Sequence, residues 1–385
     1  MSNGALHGIV VADFSRVLAG PYATMLLADL GAEVVKVERP GTGDDTRSWG
    51  PPWRGEQSTY FASVNRNKRS VELDLRDAED RRRAVALAER ADVLVENFKP
   101  GAFERLGLGY DALSVANPAL VYCSISGFGT AGGADLPGYD LLVQAVGGLM
   151  SITGSSPEEP VKVGVALVDV ITGLHAAVGI LAALNERAAS GKGQRVEVNL
   201  LSSLLSGLVN QSSGYVGAGF VPHIMGNRHP SIAPYESYPT ADAPMVIAVG
   251  NDRQFRACAQ VLGRPEWADD DRFATNPARV QHRSELYELM CEQLKARGAE
   301  EWFTALTDAG VPCGPIHDIA GAFDLAERLG LHPIADAAGE PTVANPITLT
   351  RTPVSYRTPP PRLGDACVLD DGSIADAEAH TEASP

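Results

Sequence analysis

Paired cysteines are missing from this 385-residue chain. Its five cysteines (Cys123, Cys258, Cys291, Cys313 and Cys367) are scattered, odd in number and never spaced C-x-x-C. That argues against a disulfide framework and a structural zinc site, and for reduced thiols in a cytoplasm. A long uninterrupted apolar run is also missing: the best candidate, Val163 to Leu184, contains Asp169 and His175 and reads as core, so no membrane partner is expected. The first eight residues, Met1 to Gly8, have neither a charged segment nor an apolar one after it, so no secretory signal is expected. Positive charge is scarce, 32 Lys and Arg against 48 Asp and Glu for a net −16, which argues against nucleic acid as the main partner. No G-x-S-x-G elbow, no G-x-x-x-x-G-K-[ST] loop and no H-E-x-x-H are present, and the eight histidines are dispersed. Serine hydrolysis, P-loop chemistry and a resident metal therefore lack their signatures.

What is present is a large apolar fraction, 44%, enough for two domains or one large α/β unit with an insertion. Charge is unevenly placed. Residues 1–105 hold 15 Lys and Arg against 16 Asp and Glu, and the remainder holds 17 against 32, so an anion is better received in the first hundred residues. Gly8–Phe14 has the pattern of a buried strand, Ser15–Gly20 of a loop, Tyr22–Leu30 of a helix entered near Pro21, and Glu33–Glu38 of a second strand. This is a βαβ unit without G-x-G-x-x-G at its first turn. Strands at 70–75, 92–96 and 120–125 with a charged helix at 77–91 extend the alternation into a doubly wound parallel sheet. Gly127-Phe-Gly129-Thr-Ala-Gly132 does match a dinucleotide fingerprint, but Gly133, Pro137 and Gly138 follow where a helix should open. Backbone approach to a ligand, or a gate, suits it better.

A helix is expected over Tyr139–Met150, a strand over Gln194–Asn199 and one helix over Leu200–Tyr215. Composition then changes. Loop chemistry around Gly226–Tyr235, a strand at 245–249 and helices at 252–262, 283–297 and 300–309 suggest a smaller α+β domain. The expected bounds are 1–218 for the large domain, 219–320 for the small one and 321–385 for a return to the first. The last ~20 residues are polar and expected to be loosely held.

Val170 to Leu184 is apolar nearly all round, the pattern of a helix buried on several faces. At its head stands Asp169. Aspartate there is either an N-cap or a carboxylate nucleophile kept ionised by the helix dipole. The residues alone leave both open.

Six stretches in register settle the preference: Asp13–Pro21, Leu30–Pro40, Asn67–Ser70, Glu96–Gly101, Gly164–Leu184 and Val311–Pro315. In these the chain resembles the family III CoA-transferases (the CaiB–BaiF group) over nearly its whole length. The resemblance implies a Rossmann-like α/β large domain with a smaller α+β domain, in an interlocked homodimer. It implies that Asp169 is the nucleophile, moving CoA from an acyl-CoA donor to a carboxylic acid acceptor through aspartyl anhydride and aspartyl–CoA thioester intermediates. It places CoA contacts at Val17, Ala19, Arg39, Leu73, Arg76, Asn97, Phe98, Arg105, Tyr139 and Asp140. Leu18 stands where formyl-CoA transferase has a glutamine, and Gly226-Asn-Arg-His-Pro230 replaces its glycine loop, which points away from a formyl or oxalate pair. A small dicarboxylate is expected instead, with Gly226, Arg228, His229 and Tyr235 as its contacts. Two alternatives stand beside this. An α-methylacyl-CoA racemase of the same family would need a histidine where Gly138-Tyr139-Asp140 has tyrosine, a poor base near neutral pH; a non-catalytic CoA-binding protein would have no use for Asp169.

Overall fold

The structure is a computed structural model and describes residues 4–377. Two compact units divide the chain: residues 1–149, 163–221 and 332–385 in the first, and 150–162 with 222–331 in the second. The bounds differ from those expected at both ends of the insertion. Residues 150–162 belong to the second unit, where Gly154 bridges to Pro160 and leaves no room for a side chain beside Glu159 and Ile224. The helix Ile319–Arg328 also belongs there, not to the return.

Among the described residues, eight strands build the sheet of the first unit. In chain order they are β1 (Val10–Asp13), β2 (Glu33–Glu38), β3 (Lys68–Glu72), β4 (Val93–Glu96), β5 (Val121–Ser126), β6 (Arg195–Asn199), β7 (Ala366–Val368) and β8 (Ile374–Asp376). Their order across the sheet is β8-β7-β3-β2-β1-β4-β5-β6, all parallel except the β7–β8 edge. The run 3-2-1-4-5-6 is the doubly wound Rossmann order, in which the strand order reverses between β1 and β4 and opens a crevice at their carboxyl ends. Strand side chains alternate between two cores. Ala12, Val35, Leu94 and Tyr122 face one core, and Val11, Val34, Val93, Val95, Val121 and Cys123 face the other. Residues 366–376, expected to be loose, pair onto the sheet edge through Ala366–Val71 and a short hairpin.

Helix α1 (Ala19–Asp29) starts before Pro21, and α2 (Ala78–Arg90) is capped by Asp77. The segment 127–139 stays irregular, and α3 (Asp140–Val146) follows it. Helix α4 (Leu167–Ser190) buries Val168, Thr172, Gly173, Ala176, Ala177, Ile180 and Ala183 and stops at Gly191, whose φ of 71° suits glycine. Small residues let it lie against α1: a Cβ on Gly173 would come within 2.6 Å of the Ala19 carbonyl oxygen. By length and hydropathy alone α4 could cross a bilayer. Its burial is narrower than expected, since Leu174 and Val178 are exposed. The single helix expected over 200–215 is two, α5 (Leu200–Gly207) and α6 (Asn210–Ala218), broken at Val209 with a φ of 43°. The second unit holds a three-stranded antiparallel sheet, Cys313–Pro315, Met245–Ala248 and Tyr235–Tyr238 in that order. Helices pack on it around Phe255, Phe273, Trp267 and Trp302.

Candidate active site

The crevice between β1 and β4 is where the sequence motifs converge. From β1 the chain runs through Ser15–Leu18 into α1, and from β4 through Asn97–Pro100. Asn97 joins the two: its Oδ1 accepts the Arg16 N–H at 2.9 Å and its Nδ2 donates to the Arg16 carbonyl at 2.8 Å. Two cavities open on this junction. One, about 340 Å³, is lined by Asp169 with Val17, Leu18, Ala19, Asn97, Lys99 and Tyr139, among others. The other, about 570 Å³, is lined by Arg39, Leu73, Arg76 and Lys36 among others. Arg16 and Phe98 line both, the guanidinium lying 5.3 Å from the ring centre.

Asp169 is the third residue of α4 and not its cap; the cap position is Ala166, whose side chain accepts nothing. The capping is done from a distance. Asp140 Oδ1 accepts the N–H groups of Val168 at 2.8 Å and Asp169 at 3.2 Å, while Gln144 Nε2 donates to Asp140 Oδ2 at 2.6 Å. Thus Asp140 does not line either cavity, and its carboxylate is spent on the helix end. Burial, and then the negative charge of Asp140, push the Asp169 carboxyl up to about 7. The helix dipole, expected to keep Asp169 ionised, is opposed by these two effects: a second carboxylate occupies the positive helix end. Tyr60 shares the field. Burial and the charges of Asp169, Asp140 and Asp44 raise its phenol to about 12, so it is a hydrogen-bond donor across the physiological range.

Of the expected contacts, Val17, Ala19, Asn97, Phe98 and Tyr139 are brought together with Asp169, and Arg39, Leu73 and Arg76 line the adjoining cavity. Arg39 pairs with Asp45 at 2.5 Å and Arg76 with Asp74 at 2.9 Å, both at exposed positions where a phosphate can exchange for a carboxylate. Arg105 is exposed on the short helix Ala102–Arg105 and lines neither cavity. The glycine loop contributes Gly127 and Gly138, which pack so closely that a Cβ on Gly127 would meet the Gly138 Cα at 2.5 Å. Gly226 and Arg228 line a separate cavity within the second unit, where Arg228 pairs with Glu236 at 3.1 Å. The His229 and Tyr235 rings lie 5.2 Å apart, tilted by 54°, and do not line it. Arg16, Lys99 and Tyr60 were not singled out by sequence reasoning. Arg16 and Lys99 sit inside quoted motifs, but only the strand order shows that they face a crevice.

The profile of CoA-transferase family III matches residues 6–366. The chain belongs to CoA-transferase family III. It is 43% identical over 372 residues to succinate–glutarate CoA-transferase of Agrobacterium fabrum, covering 94% of this chain and 93% of that protein. It is 41% identical to succinyl-CoA:glutarate CoA-transferase of Mus musculus, covering 93% and 84%. Among solved structures, a CaiB/BaiF family protein from Brucella suis superposes with a TM-score of 0.85 at 41% identity, covering 99% of each chain. The family III transferase is thus an enzyme acting on CoA thioesters, and the fold class expected from sequence, a mixed α/β protein with a large parallel sheet, is the observed one.

Proposed function

We propose that this transferase moves CoA from an acyl-CoA thioester to a free dicarboxylate, with Asp169 as nucleophile. The supporting observation is geometric: Asp169 stands in one cavity, two phosphate-suited arginines stand in the next, and Arg16 and Phe98 belong to both. An elongated substrate with a polyanionic head and a reactive thioester fits that sequence of groups. Arg39 and Arg76 take the phosphates, Val17, Ala19, Asn97, Phe98 and Tyr139 line the path of the chain, and Asp169 meets the acyl carbon. Asp140 acts on the helix end and not on CoA. Arg105 has a lesser role, outside both cavities.

Ionised Asp169 attacks the thioester carbon; the C–S bond breaks, leaving an aspartyl anhydride and CoA thiolate. The thiolate attacks the aspartyl carbonyl, expelling the donor acid as its carboxylate and leaving an aspartyl–CoA thioester. The acceptor carboxylate attacks that thioester, forming a second anhydride and again a thiolate, which then attacks the acceptor's carbonyl and frees Asp169. No net proton is needed. Each intermediate is open to hydrolysis, so a half-buried carboxylate serves better than an exposed one.

Dicarboxylate acceptors are proposed because the relatives named above are named for succinate and glutarate. Gly226, Arg228, His229 and Tyr235, all within the second unit, are proposed as dicarboxylate contacts, with Arg228 as the cation. A homodimer is proposed because α4, α5 and α6 expose Leu174, Val178, Leu205, Tyr215 and Val216 on the first unit, more apolar surface than a lone chain usually leaves wet. A cytoplasmic location is proposed from the free thiols, with no membrane attachment and no resident metal. Incubation with an acyl-CoA, trapping with hydroxylamine and mass spectrometry should find the label on Asp169. Asp169→Asn should abolish exchange between succinyl-CoA and a panel of diacids. Exchange surviving in that variant, or inversion of a chiral α-methyl centre in its place, would overturn the proposal.

A further inference from the structure

The turn Ser15–Leu18 is held in a conformation its own sequence resists. Val17 has a φ of 69°, left-handed backbone that a β-branched residue rarely adopts. Such strain persists only where the surroundings over-determine it. Here they do, through side chains from four different segments. Asp13 accepts the Ser15 N–H at 3.0 Å, and Lys36 Nζ donates to the Ser15 carbonyl at 2.9 Å. Asn97 takes both the N–H and the carbonyl of Arg16. Asp44 accepts the Val17 N–H at 3.2 Å.

Lys36 and Asp44 form an ion pair of 2.9 Å in which both side chains are wholly shielded from solvent. Asp44 is tied further by the N–H and hydroxyl of Thr46 at 3.0 and 2.8 Å, and its own N–H donates to Glu38 at 2.8 Å. A buried ion pair is weak evidence for stability, because desolvation offsets most of its attraction. What this pair does do is present one carboxylate acceptor and one ammonium donor to backbone atoms two residues apart, on the turn that lines the Asp169 cavity.

We infer that Asp44, Lys36 and Asn97 are positioning residues for CoA transfer: together they clamp Ser15–Val17 in the left-handed turn that sets Val17, Leu18 and Ala19 opposite Asp169. The inference rests on the reading of that cavity as the transfer site. Asn97 then works through Arg16, since its amide is already committed to the Arg16 backbone, and Lys36 lines the phosphate-side cavity while its ammonium holds the turn.

The test is a double-mutant comparison. Glycine adopts a φ of +69° without steric cost, so Val17→Gly should lessen the dependence of the turn on its clamp. Asn97→Ala and Asp44→Ala are each made in the wild-type and in the Val17→Gly background, and kcat, KM for succinyl-CoA and the CoA dissociation constant by calorimetry are measured. In the wild-type background, each clamp variant should lose tenfold or more in kcat/KM and bind CoA more weakly, while KM for the acceptor acid stays within twofold. In the Val17→Gly background, the same substitutions should cost about threefold or less. Equal fold losses in both backgrounds would overturn the clamp, as would wild-type kcat and CoA affinity in Asn97→Ala. If Asp44→Ala strands the Lys36 ammonium without its buried partner and the chain fails to fold, the Asn97→Ala pair carries the comparison, because Asn97 is uncharged. Asp169→Asn separates the two ideas. Exchange persisting there refutes the assigned site, whereas the CoA affinities still decide the clamp.

Discussion

Replacing Asp140 by asparagine removes a charge beside Asp169 while leaving an oxygen to receive the Val168 and Asp169 N–H groups. Asp169 sits at about 7 instead of its ordinary 3.8, burial being the larger cause and Asp140 the second. Asp140 therefore accounts for less than half of a displacement of roughly three pH units, and its loss should bring the midpoint down by about 1. At pH 6 the ionised fraction of Asp169 would then rise from about one-tenth to about one-half, a gain of roughly fivefold in competent enzyme. The rate of CoA exchange in Asp140→Asn, followed as kcat/KM from pH 5 to 9, should show its acid limb displaced by about one unit to lower pH. Above pH 8, where both enzymes are ionised, the variant should be slower, because a less destabilised carboxylate gains less from acylation. The new amide also faces Gln144 Nε2, which donates to Asp140 Oδ2 in the wild type. A loss of about 1–2 kcal/mol in stability is expected from that mismatch and is read separately by thermal melting. An acid limb that stays near pH 7, or moves upward, in a folded variant would refute the electrostatic assignment.

Asp169→Asn should melt on the order of 2 °C higher than the wild type at pH 8. The sign follows from the raised carboxyl: the folded protein holds the proton more tightly than the unfolded chain, so stability is full below pH 4 and declines as pH rises through 7; the two proteins should converge at pH 4, and a wild type more stable at pH 8 would contradict this. Arg39→Gln should raise KM for the acyl-CoA donor about tenfold with kcat held, the worth of one charge-assisted phosphate contact. Arg105→Gln should change it less than twofold, and equal effects would place the phosphates elsewhere. Gly173→Ala drives a methyl to 2.6 Å from the Ala19 carbonyl oxygen, where α1 and α4 cross. It should cost about 1–3 kcal/mol, and an unchanged melting temperature would mean that the crossing is looser than it looks. Light scattering after gel filtration should give about twice the chain mass of 40.6 kDa, and a monomer at micromolar concentration would leave the apolar face of α4–α6 without its proposed cover.

The alternation of strands and helices, and the identity of the loops, were legible because each depends on local patterning. Val11, Ala12, Val34 and Val35 sit in short apolar runs bounded by glycine or charge, which is how a parallel strand buried on both faces reads. Asp77 before α2 and Gly191 after α4 are local signals, and they mark a start and a stop in the structure. Five things were not legible, each for want of distance information or of any local signal. The cap of α4 comes from Asp140, 29 residues upstream, so Asp169 mimicked an N-cap it does not supply. The partner of the Arg16 backbone is 81 residues away. Valine at 17 and at 209 gives no hint of positive φ, so neither the strained turn at the site nor the break between α5 and α6 could be read from its residues. Membership of 150–162 in the second unit depends on packing against Ile224 and Gly226, about 70 residues away, of which the Ser, Gly and Pro-rich composition gives no sign.

What raises the Asp169 carboxyl also favours the chemistry proposed for it. Burial and the neighbouring Asp140 penalise the ionised form and spare any neutral one, and an acylated aspartate is as neutral as a protonated one. In the proposed mechanism, part of each increment in the carboxyl's proton affinity from these sources appears again as driving force for forming the anhydride and the aspartyl–CoA thioester, the rest following the charge as it passes to the thiolate. The gain has a ceiling. A carboxyl pushed well beyond neutral would be protonated and idle in most molecules, whereas one left near its ordinary value would be always ionised but little disposed to give up its charge. In the proposed mechanism, a value of about 7 leaves about half the Asp169 carboxyls ionised at neutral pH while keeping electrostatic pressure toward acylation. Asp140 is therefore placed where one carboxylate can serve twice: its oxygen satisfies the helix end, and its charge adds to the basicity that burial gives Asp169.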